Sequence, residues 1–294
     1  MERREFLTKA SVAGLAAWGG GAAMAENQPP MARQPGESDV AFRTRLTRIR
    51  AAEAARRAQA AAMGPEFYEL RRYELETEEQ KAGFDKFLSE AAIPALNRLS
   101  IKSVGVFYPA EGISPLYVLL VHPSLDSFAT MAARLGEDQE FMAKGADFIY
   151  APADKPAFKM QETQLMQAFE GMAKLERPVD VPGRIFQLRT YESPSEVTGL
   201  KKIEMFNTAE IAIFRKTGLH PVFFGRTLAG AKMPNLTYML GFKDMEESKA
   251  NWRTFVNDPE WKTLSGMPEY ADKAILRSGG ITNLYLKPAS YSQI

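Results

Sequence analysis

The sequence predicts an α+β protein made of two tandem ferredoxin-like units, each with the order βαββαβ. The first observation is a repeated strand: FYELRRY at residues 67–73 returns as IFQLRTY at residues 185–191, which start 118 residues later. The second is a match between DQEF at 138–141 and DPEW at 258–261, two helix starts with an acidic cap. A period of this length suits a small domain, so the pattern indicates a duplicated fold rather than a short-repeat array.

The first unit is expected over residues 66–175. Alternating β-forming residues, helical spacing of apolar side chains and turn residues define its elements. In chain order these are a strand at 67–75, a helix at about 78–98, a hairpin of strands at 104–108 and 116–121, a helix that starts near 124 and a strand near 158–166. Pro94 is expected to kink the first helix, because proline removes one backbone hydrogen bond.

The second unit is expected over residues 184–294, after a linker at 176–183 that contains Pro178 and Pro182. The spacing of 118 persists through a helix at 203–215 and a strand at 222–225. After the second hairpin the spacing becomes 120, which matches Leu236 to Leu116. Agreement in register at three separate elements favours duplication over chance.

The N-terminus predicts export of a folded protein. Residues 1–25 read as a twin-arginine signal peptide, with Arg3 and Arg4 in an R-R-x-F-L core, a weakly apolar stretch and an A-x-A cleavage site that ends at Ala25. Residues 26–65 are predicted to be a disordered segment followed by an Ala/Arg-rich linker helix. A periplasmic or secreted location follows from this prediction, and no later segment is apolar enough to span a bilayer.

Composition excludes several kinds of site. The chain has 294 residues, with 37 basic and 36 acidic side chains, so its charge gives no reason to expect a nucleic-acid partner. It has no cysteine and two histidines, which argues against a metal site. Neither histidine lies on a helix with an open face, so we expect neither haem nor another cofactor.

The strand motifs YELRRY at 68–73 and QLRTY at 187–191, together with NDPEW at 257–261, resemble the NIPSNAP family over roughly residues 66–291. The resemblance implies a fold of the dimeric α/β-barrel superfamily, here with both ferredoxin-like units supplied by one chain. It implies little about activity, because the family offers no agreed set of catalytic residues to transfer.

Strand periodicity indicates where a site would lie. Side chains at alternate positions share one face, and we expect the helices to cover the apolar face and the polar face to point into the barrel. Two arginines and two tyrosines would then converge, with His220 at the barrel mouth. The candidate ligand-binding residues are Glu69, Arg71, Tyr73, Gln187, Arg189, Tyr191 and His220. His122, which ends a strand, is interpreted as a surface or turn residue.

The same residues permit a functional and a structural interpretation. In the first, Arg71 and Arg189 hold an anionic group of a small ligand. In the second, Glu69 with Arg71 and Gln187 with Arg189 form buried polar contacts that fix the packing. Three functions therefore stay open: a small-molecule binding protein, a cofactor-independent oxygenase or isomerase, and a non-catalytic scaffold or interaction protein. Association into a homo-oligomer stays open as well.

Overall fold

Eight antiparallel strands form one closed barrel in the computed structural model, which describes residues 38–41, 44 and 64–294. The strands are β1 (Phe67–Glu74), β2 (Val104–Pro109), β3 (Leu116–His122), β4 (Met160–Ala168), β5 (Ile185–Glu192), β6 (His220–Ala229), β7 (Asn235–Phe242) and β8 (Ile281–Pro288). Their order around the barrel is β1-β3-β2-β8-β5-β7-β6-β4. The predicted α+β fold of two ferredoxin-like units is therefore confirmed. The predicted signal peptide and most of the linker segment 26–65 lie outside the described residues.

The two units join at two strand pairs. β2 of the first unit pairs with β8 of the second, with Tyr108 opposite Lys287, and β4 pairs with β6, with Ala168 opposite Gly225. Each junction therefore couples the second strand of one unit to the last strand of the other. The closed order leaves no unpaired sheet edge among the described strands, so the edges that could have recruited a second chain are used within this one.

Helices cover the outside of the barrel. They are α1 (Glu78–Phe87, Leu88–Ala92 and Ile93–Arg98), α2 (Leu125–Glu137), α3 (Gln139–Lys144), α4 (Ala146–Ile149), α5 (Glu196–Met205, Phe206–Glu210 and Ile211–Lys216), α6 (Met245–Asn257), α7 (Pro259–Ser265) and α8 (Asp272–Ile275). The acidic caps predicted at Asp138 and Asp258 are present, since each side chain accepts hydrogen bonds from backbone N–H groups in the first turn. No helix in the described ranges has the length and apolarity that a membrane crossing requires.

The central segments of α1 and α5, Leu88–Ala92 and Phe206–Glu210, are π-helical and occupy equivalent positions. Pro94 follows the first of these, but the equivalent residue of the second unit is Ala212. The wider turn is therefore a property of the repeated unit, and proline is not its cause. Wide turns of this kind redirect the side chains of a helix.

The barrel interior is filled by apolar side chains together with a hydrogen-bonded group of uncharged polar ones, Gln164, Thr227 and Thr237, which corrects the predicted assignment of strand faces. Tyr68 and Leu70 of β1 pack across the interior with Phe186 and Leu188 of β5. Ring centroids of Tyr68 and Phe223 are 4.9 Å apart. The polar face with Arg71 and Arg189 lies instead under the helices. A closed barrel buries both faces of its sheet, and its narrow interior is filled best by side chains without charge.

Candidate functional site

The site with the least compensated charge lies between the sheet and the helices of the second unit. The Arg189 side chain is only 4% exposed. One of its terminal nitrogens donates to the Tyr191 hydroxyl at 3.1 Å, and its guanidinium carbon lies 4.8 Å from the centre of the Trp252 ring. Among the described residues, its Nε has no hydrogen-bond acceptor. The guanidinium is thus held in place by aromatic side chains, and no carboxylate of the described residues is paired with it.

Tyr191 and Tyr238 form a phenol pair beside this arginine. Their hydroxyl oxygens are 2.9 Å apart, and the rings meet edge to face with centroids 5.4 Å apart. Burial raises the pKa of Tyr238 well above its ordinary value, and the charge of Arg189 opposes this rise only partly. Tyr238 therefore stays neutral at physiological pH and cannot act as a counterion.

A buried ion pair lies on the helical side of the same space. Lys202 donates to Glu210 at 3.0 Å, and both side chains are at most 2% exposed. The ammonium of Lys202 also lies 4.9 Å from the centre of the Phe206 ring and 5.6 Å from that of Tyr191. Burial raises the pKa of Glu210, while Lys202 and, more weakly, Arg189 oppose the rise. Lys202 is therefore the direct partner of Glu210, and the negative charge of Asp272 also favours the charged form of Lys202.

Gln187 does not serve as the predicted partner of Arg189. Its amide oxygen accepts from the indole N–H of Trp252 at 2.6 Å, and its amide nitrogen donates to Asn283 at 2.8 Å. Both polar atoms of the Gln187 amide are therefore already hydrogen-bonded to other side chains.

The equivalent space of the first unit has a complete polar network. Arg71 Nε donates to Glu69 Oε1 at 2.6 Å, and the other carboxylate oxygen is 3.1 Å from Nε2 of His122. The second ring nitrogen of His122 is 3.1 Å from the hydroxyl of Ser127. Burial tends to raise the pKa of Glu69, but the contacts with His122 and Arg71 outweigh it and lower that pKa. Here the predicted Glu69–Arg71 contact is present.

The structure changes the assignment of one of the two histidines. His122 is fully buried between Glu69 and Ser127, so its interpretation as a surface or turn residue is wrong. His220 begins β6 opposite Gly241 and is half-buried. Within the described part of the chain, it makes no hydrogen bond or ion pair with the other candidate residues. Tyr73 packs on Phe84 under α1 rather than in the barrel interior.

Two cavities open elsewhere on the surface. The larger, about 540 Å³, has Lys102, Arg177 and Arg184 in its lining, and the smaller, about 230 Å³, has Glu204 and Asn207. Neither is lined by Arg71 or Arg189. In the part of the chain that the structure describes, no group of three or more His, Cys, Asp or Glu side chains is arranged to hold a metal ion.

The model of the NIPSNAP family matches residues 68–166 and 186–293, which together exceed half of the chain. The chain belongs to the NIPSNAP family. Each matched region corresponds to one ferredoxin-like unit, so this is a tandem NIPSNAP protein. A search of curated proteins found no match for it.

Two solved structures share the barrel fold of this NIPSNAP chain at low sequence identity. A candidate monooxygenase from Lactobacillus acidophilus NCFM is 7% identical with a TM-score of 0.51, and the match covers 76% of this chain and 94% of that one. Another from Fusobacterium nucleatum is 8% identical, also with a TM-score of 0.51, over 76% and 93%. An uncharacterised NIPSNAP-like domain protein from Burkholderia xenovorans is 20% identical over 37% of this chain and 89% of its own, with a TM-score of 0.33.

Several side chains at these two sites were not predicted as candidates from the sequence. They are His122, Ser127, Lys202, Glu210, Tyr238, Trp252 and Asn283. Aligning the two units of the NIPSNAP chain would have revealed two of them, because Lys202 and Glu210 stand where the first unit has Phe84 and Ala92. Charged residues are unusual at positions that are apolar in the other unit. Lys202 and Glu210 are eight positions apart, which is close to two helical turns and places them on the same side of the helix.

Proposed function

We propose that this protein binds a small anionic molecule between the sheet and the helices of its second unit, with Arg189 holding the negative charge. The observation that carries the proposal is the buried Arg189 guanidinium, whose Nε lacks an acceptor among the described residues. The proposed ligand position differs from the barrel interior that the strand alternation predicted, because apolar and uncharged polar side chains fill that interior.

Physical reasoning supports an external anion. An arginine stays charged when it is buried, and removing it from water without an acceptor is costly. Glu210 is engaged by Lys202, and Gln187 is engaged by Trp252 and Asn283. A bound anion would give Arg189 a charge-assisted hydrogen bond, which is stronger than a bond between neutral groups.

The two arginines provide a matched test. Native mass spectrometry of protein purified from its own host should detect a small bound species in the wild type and in Arg71→Met, but not in Arg189→Met. Arg71→Met is the control because it removes an equivalent guanidinium that already has Glu69 as its partner. Loss of the species from both variants, or its retention in Arg189→Met, would contradict the role of Arg189. If no species is found in any of the three, and added anions do not stabilise the wild type against unfolding, a scaffold role is favoured.

The phenol pair supports a second candidate, a cofactor-independent oxygenase or isomerase. Tyr191 contacts Arg189 directly and Tyr238 contacts Tyr191, so a proton donor lies beside the position of a held anion. In such an enzyme, Tyr191→Phe would keep binding of the co-purified species and lose its chemical conversion. Conversion is followed after incubation in air by liquid chromatography coupled to mass spectrometry, because an isomer has the same mass as its substrate. Equal conversion by wild type and Tyr191→Phe would count against this candidate.

We also propose that the twin-arginine segment exports the folded protein. The support is the sequence alone, with Arg3 and Arg4 ahead of a small-residue stretch and a cleavage site that ends at Ala25. The double variant Arg3→Lys, Arg4→Lys should remain in the cytoplasm, while the wild type appears in the periplasm as a shorter protein. Unchanged fractionation and mass of the double variant would refute twin-arginine export.

A further inference from the structure

The two units differ at one position that decides how the strand arginine is neutralised. In the first unit, Glu69 Oε1 accepts a hydrogen bond from Arg71 Nε at 2.6 Å. The equivalent position of the second unit is Gln187, and Nε of Arg189 is the very atom that lacks an acceptor among the described residues. The same atom of the same residue type is therefore satisfied by a carboxylate in one unit and left without a partner in the other.

Gln187 is held away from Arg189 by its own contacts. Turning its amide oxygen to Arg189 would break the 2.6 Å bond from Trp252, and moving the amide nitrogen would break the 2.8 Å bond to Asn283. Breaking these contacts would leave buried polar groups unpaired. The side chain is therefore not a substitute for the carboxylate of Glu69.

The surroundings favour a single carboxylate attached to an apolar body. In the first unit His122 contacts the second carboxylate oxygen, whereas the equivalent residue of the second unit is Phe242, which is fully buried in the apolar core. Lys202 interacts with the carboxylates of Glu210 and Asp272, whereas Arg189 has no ion pair with a carboxylate among the described residues. One negative charge matches that of Arg189, and the Trp252 ring, whose centre is 4.8 Å from the guanidinium carbon, suits an apolar remainder.

We propose that the ligand of the second unit is a small monocarboxylate, and that its carboxylate takes the position at Arg189 Nε that Glu69 takes at Arg71 Nε. The inference rests on the proposed function and specifies the chemical class of its ligand. It predicts that carboxylates bind more tightly than inorganic phosphate. Phosphate has a larger negative charge, and Lys202 cannot neutralise the additional charge because it is paired with Glu210.

Exchanging the two residues between the units tests this directly. Acetate, benzoate and inorganic phosphate are titrated separately by isothermal calorimetry into wild type, Gln187→Glu and Glu69→Gln. Gln187→Glu supplies the carboxylate from the chain and should weaken acetate and benzoate binding by at least about tenfold, since a charge-assisted hydrogen bond contributes that much affinity. Glu69→Gln frees Arg71 and should raise the number of bound carboxylates from one to two.

Gln187→Met is the matched control for Gln187→Glu, because it removes the same amide contacts and adds no charge. It should still bind carboxylate within a few-fold of wild type. Circular dichroism checks that each variant is folded. If Gln187→Glu does not fold, the stoichiometry of Glu69→Gln decides the question, and a value that stays at one overturns the inference.

The outcomes that contradict the inference also separate the two proposals. If Arg189→Met abolishes anion binding but Gln187→Glu binds carboxylates like wild type, the carboxylate assignment is wrong and the anion site at Arg189 stands. Phosphate binding as tight as that of acetate and benzoate leads to the same conclusion. If none of the three probes binds to wild type and Arg189→Met behaves identically, both proposals fail.

Discussion

Replacing the buried glutamate in Glu210→Ala should destabilise the protein strongly. Glu210 accepts from Lys202 at 3.0 Å, and the lysine side chain is 1% exposed. Lys202 also contacts aromatic rings and the Met205 sulfur, and Asp272 acts on it electrostatically. Removing one partner of a buried ion pair leaves an uncompensated charge, which typically costs about 3–5 kcal/mol of unfolding free energy. We expect a loss of this size at pH 7.

The first unit provides the compensating variant. Phe84 and Ala92 occupy the positions of Lys202 and Glu210 there, and both are buried. Lys202→Phe combined with Glu210→Ala therefore reproduces a packing that this fold already accepts. Replacing a buried ion pair by apolar residues is often neutral or stabilising, so the double variant should recover most of the stability lost in Glu210→Ala.

Urea unfolding at pH 7, followed by tryptophan fluorescence and circular dichroism, measures both effects. Trp252 and Trp261 lie in this core and report on its packing. The assay compares the urea concentrations at the unfolding midpoints of the variants, provided that the dependence of the unfolding free energy on urea is the same in each. A cost below about 1 kcal/mol for Glu210→Ala, or a double variant no more stable than the single one, would show that the unpaired lysine does not dominate the energetics.

Three further outcomes are expected from the contacts of other residues. The lowered pKa of Glu69 contributes stability that is present above its ordinary value of 4.5 and is lost as the pH falls through the lower pKa of the folded state. The stability of Glu69→Gln should therefore vary less with pH below about 5, as measured by urea unfolding at a series of pH values; equal slopes would contradict this. Tyr291→Phe removes the hydrogen bond to Asp85 and should cost about 1 kcal/mol, whereas an unchanged urea midpoint would mean that the bond contributes nothing. Gly225→Ala places a Cβ 2.8 Å from Met166 Cβ and should cost about 1–3 kcal/mol in the same assay, and a neutral result would show that the barrel interior has room.

The elements of the fold were predictable because their local signals agree with their tertiary roles. The repeated strand begins at Phe67 and Ile185 in the structure, as the sequence indicated. The caps at Asp138 and Asp258 depend only on neighbouring backbone groups, so a short sequence window contains the information for them.

The direction of the strand faces was not predictable from alternation alone. Alternation separates Tyr68 from Glu69 but does not say which side faces the helices, because a closed barrel buries both. Our expectation assumed that an apolar face always meets a helix. The structure places Tyr68 in the interior and Arg71 under the helices, where a lysine, a histidine and glutamates can reach the polar groups.

The asymmetry between the units was hidden for a different reason. Arg71 and Arg189 occupy the same position of the repeated strand, so the sequence suggested the same role for both. Their partners come from residues far along the chain, such as His122 for Glu69 and Trp252 for Gln187, and only the folded structure brings these together. One arginine proves to be internally paired and the other does not.

The junctions β2–β8 and β4–β6 have an evolutionary consequence. In a barrel assembled from two identical chains, every mutation appears twice, so a change that benefits one half must also be tolerated by the other. Here both halves are encoded separately within one chain and share a single barrel. The half with Glu69 can preserve a self-sufficient core while the half with Gln187 diverges, which is the freedom that gene duplication gives to separate genes.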